Sequence, residues 1–158
     1  MENLNVKDII AEIYKILDWE NVGFYCIKDL YVKYLNDLYE KPKFNEKISI
    51  LTNFDFKKYL QYAEQNSKRL LSDEKNKKLK EELWRENDGS PQNIKSIIRL
   101  LITALTTEQE MLAYSNYPEY VATDLLDLMI ISLAKVDLEY ANGFLNFSRT
   151  RFGLDNRL

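Results

Sequence analysis

The stretch Asp88-Gly89-Ser90-Pro91, followed by Ile94-Lys95-Ser96-Ile97-Ile98-Arg99-Leu100-Leu101-Ile102-Thr103-Ala104-Leu105, decides the fold class. Gly89 ends one helix, Ser90 caps the next and Pro91 occupies its first turn, where a missing N–H costs nothing. Ile94, Ile97, Ile98, Leu101, Ile102 and Leu105 then recur at helical spacing and form a wide apolar stripe. A stripe that wide belongs to a helix with neighbours on several sides, so this segment is expected to be the central helix. Its Lys95 and Arg99 argue for a core helix rather than a membrane span.

The same period extends in both directions. Val6, Ile9, Ile10, Ile13, Ile16 and Leu17 predict a first helix capped by Asn5. A second is expected from about Asp18 to Glu40, ended by Lys41-Pro42. Residues 43–53 read as a connection with at most a short helical turn. Asp55 caps a third helix carrying Phe56, Tyr59, Leu60, Ala63, Leu70 and Leu71. Ser72-Asp73-Glu74 starts a fourth, highly charged helix to about Asn87, and only Leu79, Leu83 and Trp84 give it an inward face. Beyond the central helix, Thr107 and Glu110 have the spacing of a capping box, so either the chain breaks near residue 106 or the apolar stripe continues through Leu112. A last long helix from Pro118 to about residue 148 carries Val121, Leu125, Met129, Leu133, Val136, Tyr140 and Phe144. The expectation is one all-α domain over residues 1–158, a bundle of about five to seven helices without a sheet.

Composition agrees. The 158 residues are 46% hydrophobic, enough for a core, with only 4 Gly and 3 Pro to make turns. Met1-Glu2-Asn3-Leu4-Asn5-Val6-Lys7-Asp8 lacks the basic-then-apolar pattern of a signal peptide, so a cytoplasmic location is expected.

Histidine is absent, which removes the commonest general base and the commonest transition-metal ligand together. Cys26 is the single cysteine. It forms no internal disulfide or thiolate zinc site and, between Phe24, Tyr25 and Ile27, reads as a small buried apolar residue. No glycine-rich phosphate loop is present. Asp124 and Asp127 lie three apart on one helical face, an arrangement open to a hard cation, although a solvated acidic stripe explains them as well. These features predict a binding protein rather than an enzyme, with no cofactor and no metal.

Charge is divided along the chain. The net charge is -3, but residues 41–80 hold eleven Lys/Arg against five Asp/Glu. Residues 106–140 hold Lys135 against Glu108, Glu110, Glu119, Asp124, Asp127, Asp137 and Glu139. The two segments either pack together and neutralise one another or form separate faces. The acidic segment also carries Tyr114, Tyr117, Tyr120 and Tyr140, and tyrosine is a typical interface anchor. A partner-binding surface is therefore expected at Glu108, Glu110, Tyr114, Tyr117, Glu119, Tyr120, Asp124 and Asp127, facing a basic protein. The basic segment, with Lys57, Lys58, Lys68, Arg69, Lys75, Lys77, Lys78 and Lys80, is the alternative contact surface, for phosphates. Interleaved Asp73, Glu74, Glu81 and Glu82 and a pI of about 5.2 weigh against strong nucleic-acid binding.

In size, expected cytoplasmic character, tyrosine content and an acidic patch such as Glu108 to Asp127, the chain resembles, in general character, the small acidic helical immunity proteins of bacterial polymorphic-toxin and contact-dependent inhibition systems. That resemblance implies an inhibitor, an immunity protein or antitoxin, that neutralises a toxin or nuclease-like effector by covering its active or substrate-binding surface. A phage-encoded inhibitor of a host defence complex, and a nucleic-acid-associated regulator using residues 41–80, are the alternatives.

Overall fold

The helical stripe of Ile94–Leu105 lies at the centre of the molecule. The structure, a computed structural model, describes residues 4–19, 21–51 and 54–152. Thr52 and Asn53 of the expected 43–53 connection, Glu20 of the expected second helix, Met1–Asn3 and residues 153–158 lie outside the described residues. The described residues form nine α-helices and a 3₁₀ turn, with no strand. They are α1 (Val6–Ile16), α2 (Phe24–Tyr39), α3 (Pro42–Ser49), α4 (Phe56–Ser67), α5 (Asp73–Asp88), α6 (Gln92–Leu105), α7 (Glu108–Tyr114), the 3₁₀ turn Pro118–Tyr120, α8 (Val121–Val136) and α9 (Leu138–Arg151).

Helix α6 packs against α2, α4, α5 and α8, and α8 in turn packs against α1, α2 and α9. Ile97, Ile98, Leu100, Leu101, Ile102, Ala104 and Leu105 of α6 are all buried. Burying one large aliphatic side chain is worth about 1.5–3 kcal/mol, so this helix supplies a large part of the core. Two buried tyrosines cross-link the layers through backbone carbonyls: Tyr31 donates to Leu100 at 3.0 Å and Tyr34 to Tyr140 at 2.6 Å. Asn142 of α9 brackets Leu4, accepting from its N–H at 3.2 Å and donating to its carbonyl at 3.1 Å.

The all-α expectation agrees with the architecture, but five to seven helices is too few. Residues 42–49 form a helix because Pro42 sits in its first turn while Phe44 and Ile48 reach the core. The last segment is two helices. Asp137 has extended backbone, and its side chain accepts from the Glu139 N–H at 2.9 Å, ending α8 and capping α9. Helix α2 begins at Phe24 rather than Asp18, after a turn in which the Val22 N–H reaches the Asp18 carbonyl.

Three further expectations change. Cys26 is exposed, because α2 buries its other face through Phe24, Ile27, Lys28 and Tyr31. Pro91, not Ser90, is the residue flanking α6, and the Ser90 hydroxyl turns back to the Glu86 carbonyl at 2.6 Å. Helix α4 stops at Ser67, so Leu70 is exposed rather than part of its apolar face. Arg69 there adopts a left-handed φ of 58°. The Leu70 N–H bonds the Gln65 carbonyl and the Arg69 N–H that of Asn66, the paired closure that usually employs glycine.

No helix among the described residues is long and apolar enough to cross a membrane.

Candidate protein-binding surface

The C-terminal end of a helix leaves carbonyls without intrahelical partners. At the end of α6 these are bound by side chains from three other helices. Asn66 of α4 and Asn76 of α5 both donate to the Leu105 carbonyl, at 3.2 and 2.8 Å, and Asn66 also donates to Asn76 Oδ1 at 2.6 Å. Lys28 of α2, 0% exposed, donates from Nζ to the Thr106 carbonyl. A cation at a helix C-terminus opposes the helix dipole favourably. Burial nevertheless pulls the Lys28 ammonium down from 10.5 to about 7, with Glu110 acting in the opposite direction and Lys80 in the same one.

Helix α7 is built on this polar floor. Thr107 caps it reciprocally: its hydroxyl accepts from the Glu110 N–H at 3.2 Å, and the Glu110 carboxylate accepts from the Thr107 N–H at 3.3 Å. Glu110 also accepts from Asn76 at 3.2 Å and pairs with Lys80. No α7 residue is fully buried, and only Met111 leans on the core. The helix therefore holds its position by polar contacts and projects its remaining side chains outward.

The expected site residues divide accordingly. Tyr114, Tyr117 and Tyr120 are 92%, 63% and 55% exposed. The rings of Tyr117 and Tyr120 meet edge to face at 6.2 Å, and the turn carrying them is set by the Tyr117 N–H bonding the Ser115 hydroxyl at 3.1 Å. Glu119 and Asp124 are exposed beside them. Asp124 shares a depression of about 270 Å³ with Lys80, Glu110, Met111, Tyr114 and Ser115. Glu108 is half-buried and faces a different depression with Tyr25, Asn66 and Arg69.

Glu110 and Asp127 are committed to the fold. The Asp127 carboxylate accepts from the Tyr14 hydroxyl at 2.6 Å, joining α8 to α1. Burial is the larger influence on Asp127 and raises its pKa; the Tyr14 bond opposes this and the neighbouring Asp124 charge adds to it. Asp124 and Asp127 thus do not act as a matched pair, and among the described residues no three carboxylate or cysteine groups converge as around a metal ion.

The acidic and basic segments are joined by two ion pairs among the described residues, Lys43 with Glu139 at 3.0 Å and Lys80 with Glu110. The two segments also meet in shared depressions, one lined by Arg69 and Glu108 and another by Lys77, Lys80, Glu110 and Tyr114. Within the basic segment, Arg69 lies over Tyr25, Lys75 over Tyr62 and Lys58 over Tyr59, and Lys68 pairs with Glu64. Comparison with protein-family models, with curated proteins and with solved structures gives no match.

The polar floor under α7 escaped sequence reasoning. Asn66, Asn76 and Lys28 each lie in a polar or mixed segment with no local pattern that marks burial. The capping box was the one readable sign that backbone groups near residue 106 need side-chain partners.

Proposed function

We propose that this chain is a non-catalytic inhibitor that binds a basic protein through the surface formed by α7, the 3₁₀ turn and the start of α8, in the manner of an immunity protein or antitoxin. One observation carries the reading: three tyrosines, Tyr114, Tyr117 and Tyr120, project into solvent next to the exposed carboxylates of Glu119 and Asp124. Scattered exposed apolar groups are ordinary, but contiguous aromatic ones mark contact surfaces. Tyrosine contributes a large rigid ring with a polar tip, so it gains buried area on binding while losing little side-chain freedom. The carboxylates attract a basic partner from a distance and accelerate encounter, whereas the rings set how slowly the complex separates. Inhibition then follows from occlusion, with no turnover.

The test starts with affinity purification of the full chain from its own cells and identification of what it captures. Binding kinetics are then compared for Glu119→Lys with Asp124→Lys and for Tyr114→Ala with Tyr117→Ala. The charge reversals are expected to slow association and to weaken its dependence on salt. The tyrosine truncations are expected to speed dissociation. A captured partner that binds both variants like wild type refutes this surface.

A further inference from the structure

Helices α5 and α8 flank α6, and between them runs a groove of opposite character to the tyrosine surface. Its first depression, about 230 Å³, has apolar walls from Trp84, Ile102, Leu128 and Ile131 and is bordered by Arg99 and Lys135. Trp84, Leu128 and Ile131 are among the exposed large hydrophobic residues of the molecule. A second depression of about 260 Å³ lies along α6 beyond Lys135, where the end of α3 rather than α5 forms the opposite side, with Ile94, Ile97 and Val136 in its wall and Lys47 and Ile50 at its edge. Neither depression has a single aspartate or glutamate in its lining.

Of the cations that line them, Lys80 is paired with Glu110, whereas Arg99, Lys47 and Lys135 are not neutralised. Arg99 donates from Nε to Asn87 at 3.4 Å and stands over the Trp84 ring at 5.8 Å. Among the described residues, Arg99, Lys47 and Lys135 form no ion pair with a carboxylate. In a chain with more acids than bases, an acid-free groove holding these unpaired cations has a defined complement. Each depression is smaller than the roughly 300–1,000 Å³ of pockets that take drug-sized ligands. One or two side chains fill it. Two such sockets in succession, with Lys135 between them, match an extended or helical segment rather than a small molecule.

We propose that this groove binds an acidic amphipathic segment of a protein partner, seating apolar side chains in the two sockets and placing carboxylates against Arg99 and Lys135. The guanidinium of Arg99 can direct its terminal N–H groups into a two-pronged bond to a carboxylate, a geometry that lysine does not reproduce. This site adjoins the tyrosine surface at Lys80 and Thr106, which line depressions on both sides, but it selects the opposite charge, so the chain has two neighbouring docking faces.

The test uses a displayed library of random 16-residue peptides, selected on the full chain. Enriched peptides are expected to carry bulky apolar residues flanked by Asp or Glu. Their affinity should fall at least tenfold with Arg99→Gln/Lys135→Gln and further with Arg99→Glu/Lys135→Glu. It should be unchanged with Tyr117→Ala/Tyr120→Ala, which separates this proposal from the function proposed above. Melting temperatures of the variants establish that they are folded, and the glutamine pair keeps the test valid if charge reversal unfolds the chain. A neutral or basic consensus, binding that survives both substitutions, or no enrichment above background overturns the proposal.

Discussion

Replacing Lys28 by methionine should make the protein more stable at pH 7 and remove that advantage by pH 9. Lys28 is fully buried, with the Thr106 carbonyl as its hydrogen-bond partner, and its pKa falls from 10.5 to about 7 on folding. The unfolded chain keeps this proton up to pH 10.5, whereas the folded chain releases it near pH 7. Stability therefore rises with pH across that interval, because the unfolded state binds more protons. The full difference corresponds to about 5 kcal/mol. At pH 7, about 4 kcal/mol of penalty remains, and at pH 9 about 2 kcal/mol. Methionine has a similar length and no charge, so it removes the penalty but leaves the Thr106 carbonyl without its donor, at a cost of about 1–3 kcal/mol. The variant is thus expected to gain about 1–3 kcal/mol at pH 7 and to be close to wild type at pH 9. Urea denaturation of both proteins at pH 7, 8 and 9 measures this. The tyrosines with shifted pKa values, Tyr14, Tyr31, Tyr34, Tyr59 and Tyr140, are all shifted upward and stay protonated in this range. A stability difference between variant and wild type that stays constant from pH 7 to pH 9 would refute the reasoning.

Ile98→Asp, at a fully enclosed position of α6, should abolish stable folding, since an unpaired buried carboxylate costs several kcal/mol against a total stability of about 5–15. A soluble variant with an unchanged melting temperature would show that α6 is not the centre of the core. Gly143→Ala should destabilise despite the better helix propensity of alanine, because the added methyl runs into the Tyr34 hydroxyl. The overpacking cost of about 1–3 kcal/mol outweighs the helical gain of about 1 kcal/mol. Adding Tyr34→Phe should recover part of the loss, and strictly additive effects in the double-mutant cycle would contradict that contact.

The elements readable from the sequence are those whose signals are local. Gly89 and Pro91 mark the turn between α5 and α6, Ser72 caps α5 by accepting from the Lys75 N–H at 3.1 Å, and Thr107 with Glu110 completes a capping box. The break at Asp137 leaves no such sign, because the apolar spacing is not interrupted there: Leu133, Tyr140 and Phe144 stay in register through it, all buried. Asp137 reads as one more surface acid, yet it is a cap. Exposure of Tyr114, Tyr117 and Tyr120 is foreseeable from their polar, proline-containing surroundings. Burial of Lys28 is not, because the carbonyl that holds it is 78 residues away. A lysine in a helix full of apolar residues ordinarily reads as a surface group with a buried stem. For the same reason the commitment of Asp127 to Tyr14, 113 residues distant, leaves no local trace.

Helix α7 is held more weakly than the core beneath it. Its anchorage consists of a cap, one ion pair and amide contacts, with Met111 as its apolar foothold. Segments with so little buried apolar surface detach at a free energy well below that of global unfolding. The α7 amides should accordingly exchange with solvent deuterium sooner than those of α6, while the core stays closed. The tyrosine-bearing segment is then a separate cooperative unit, which under the proposed function could adjust its pose on a partner without loosening the bundle beneath it.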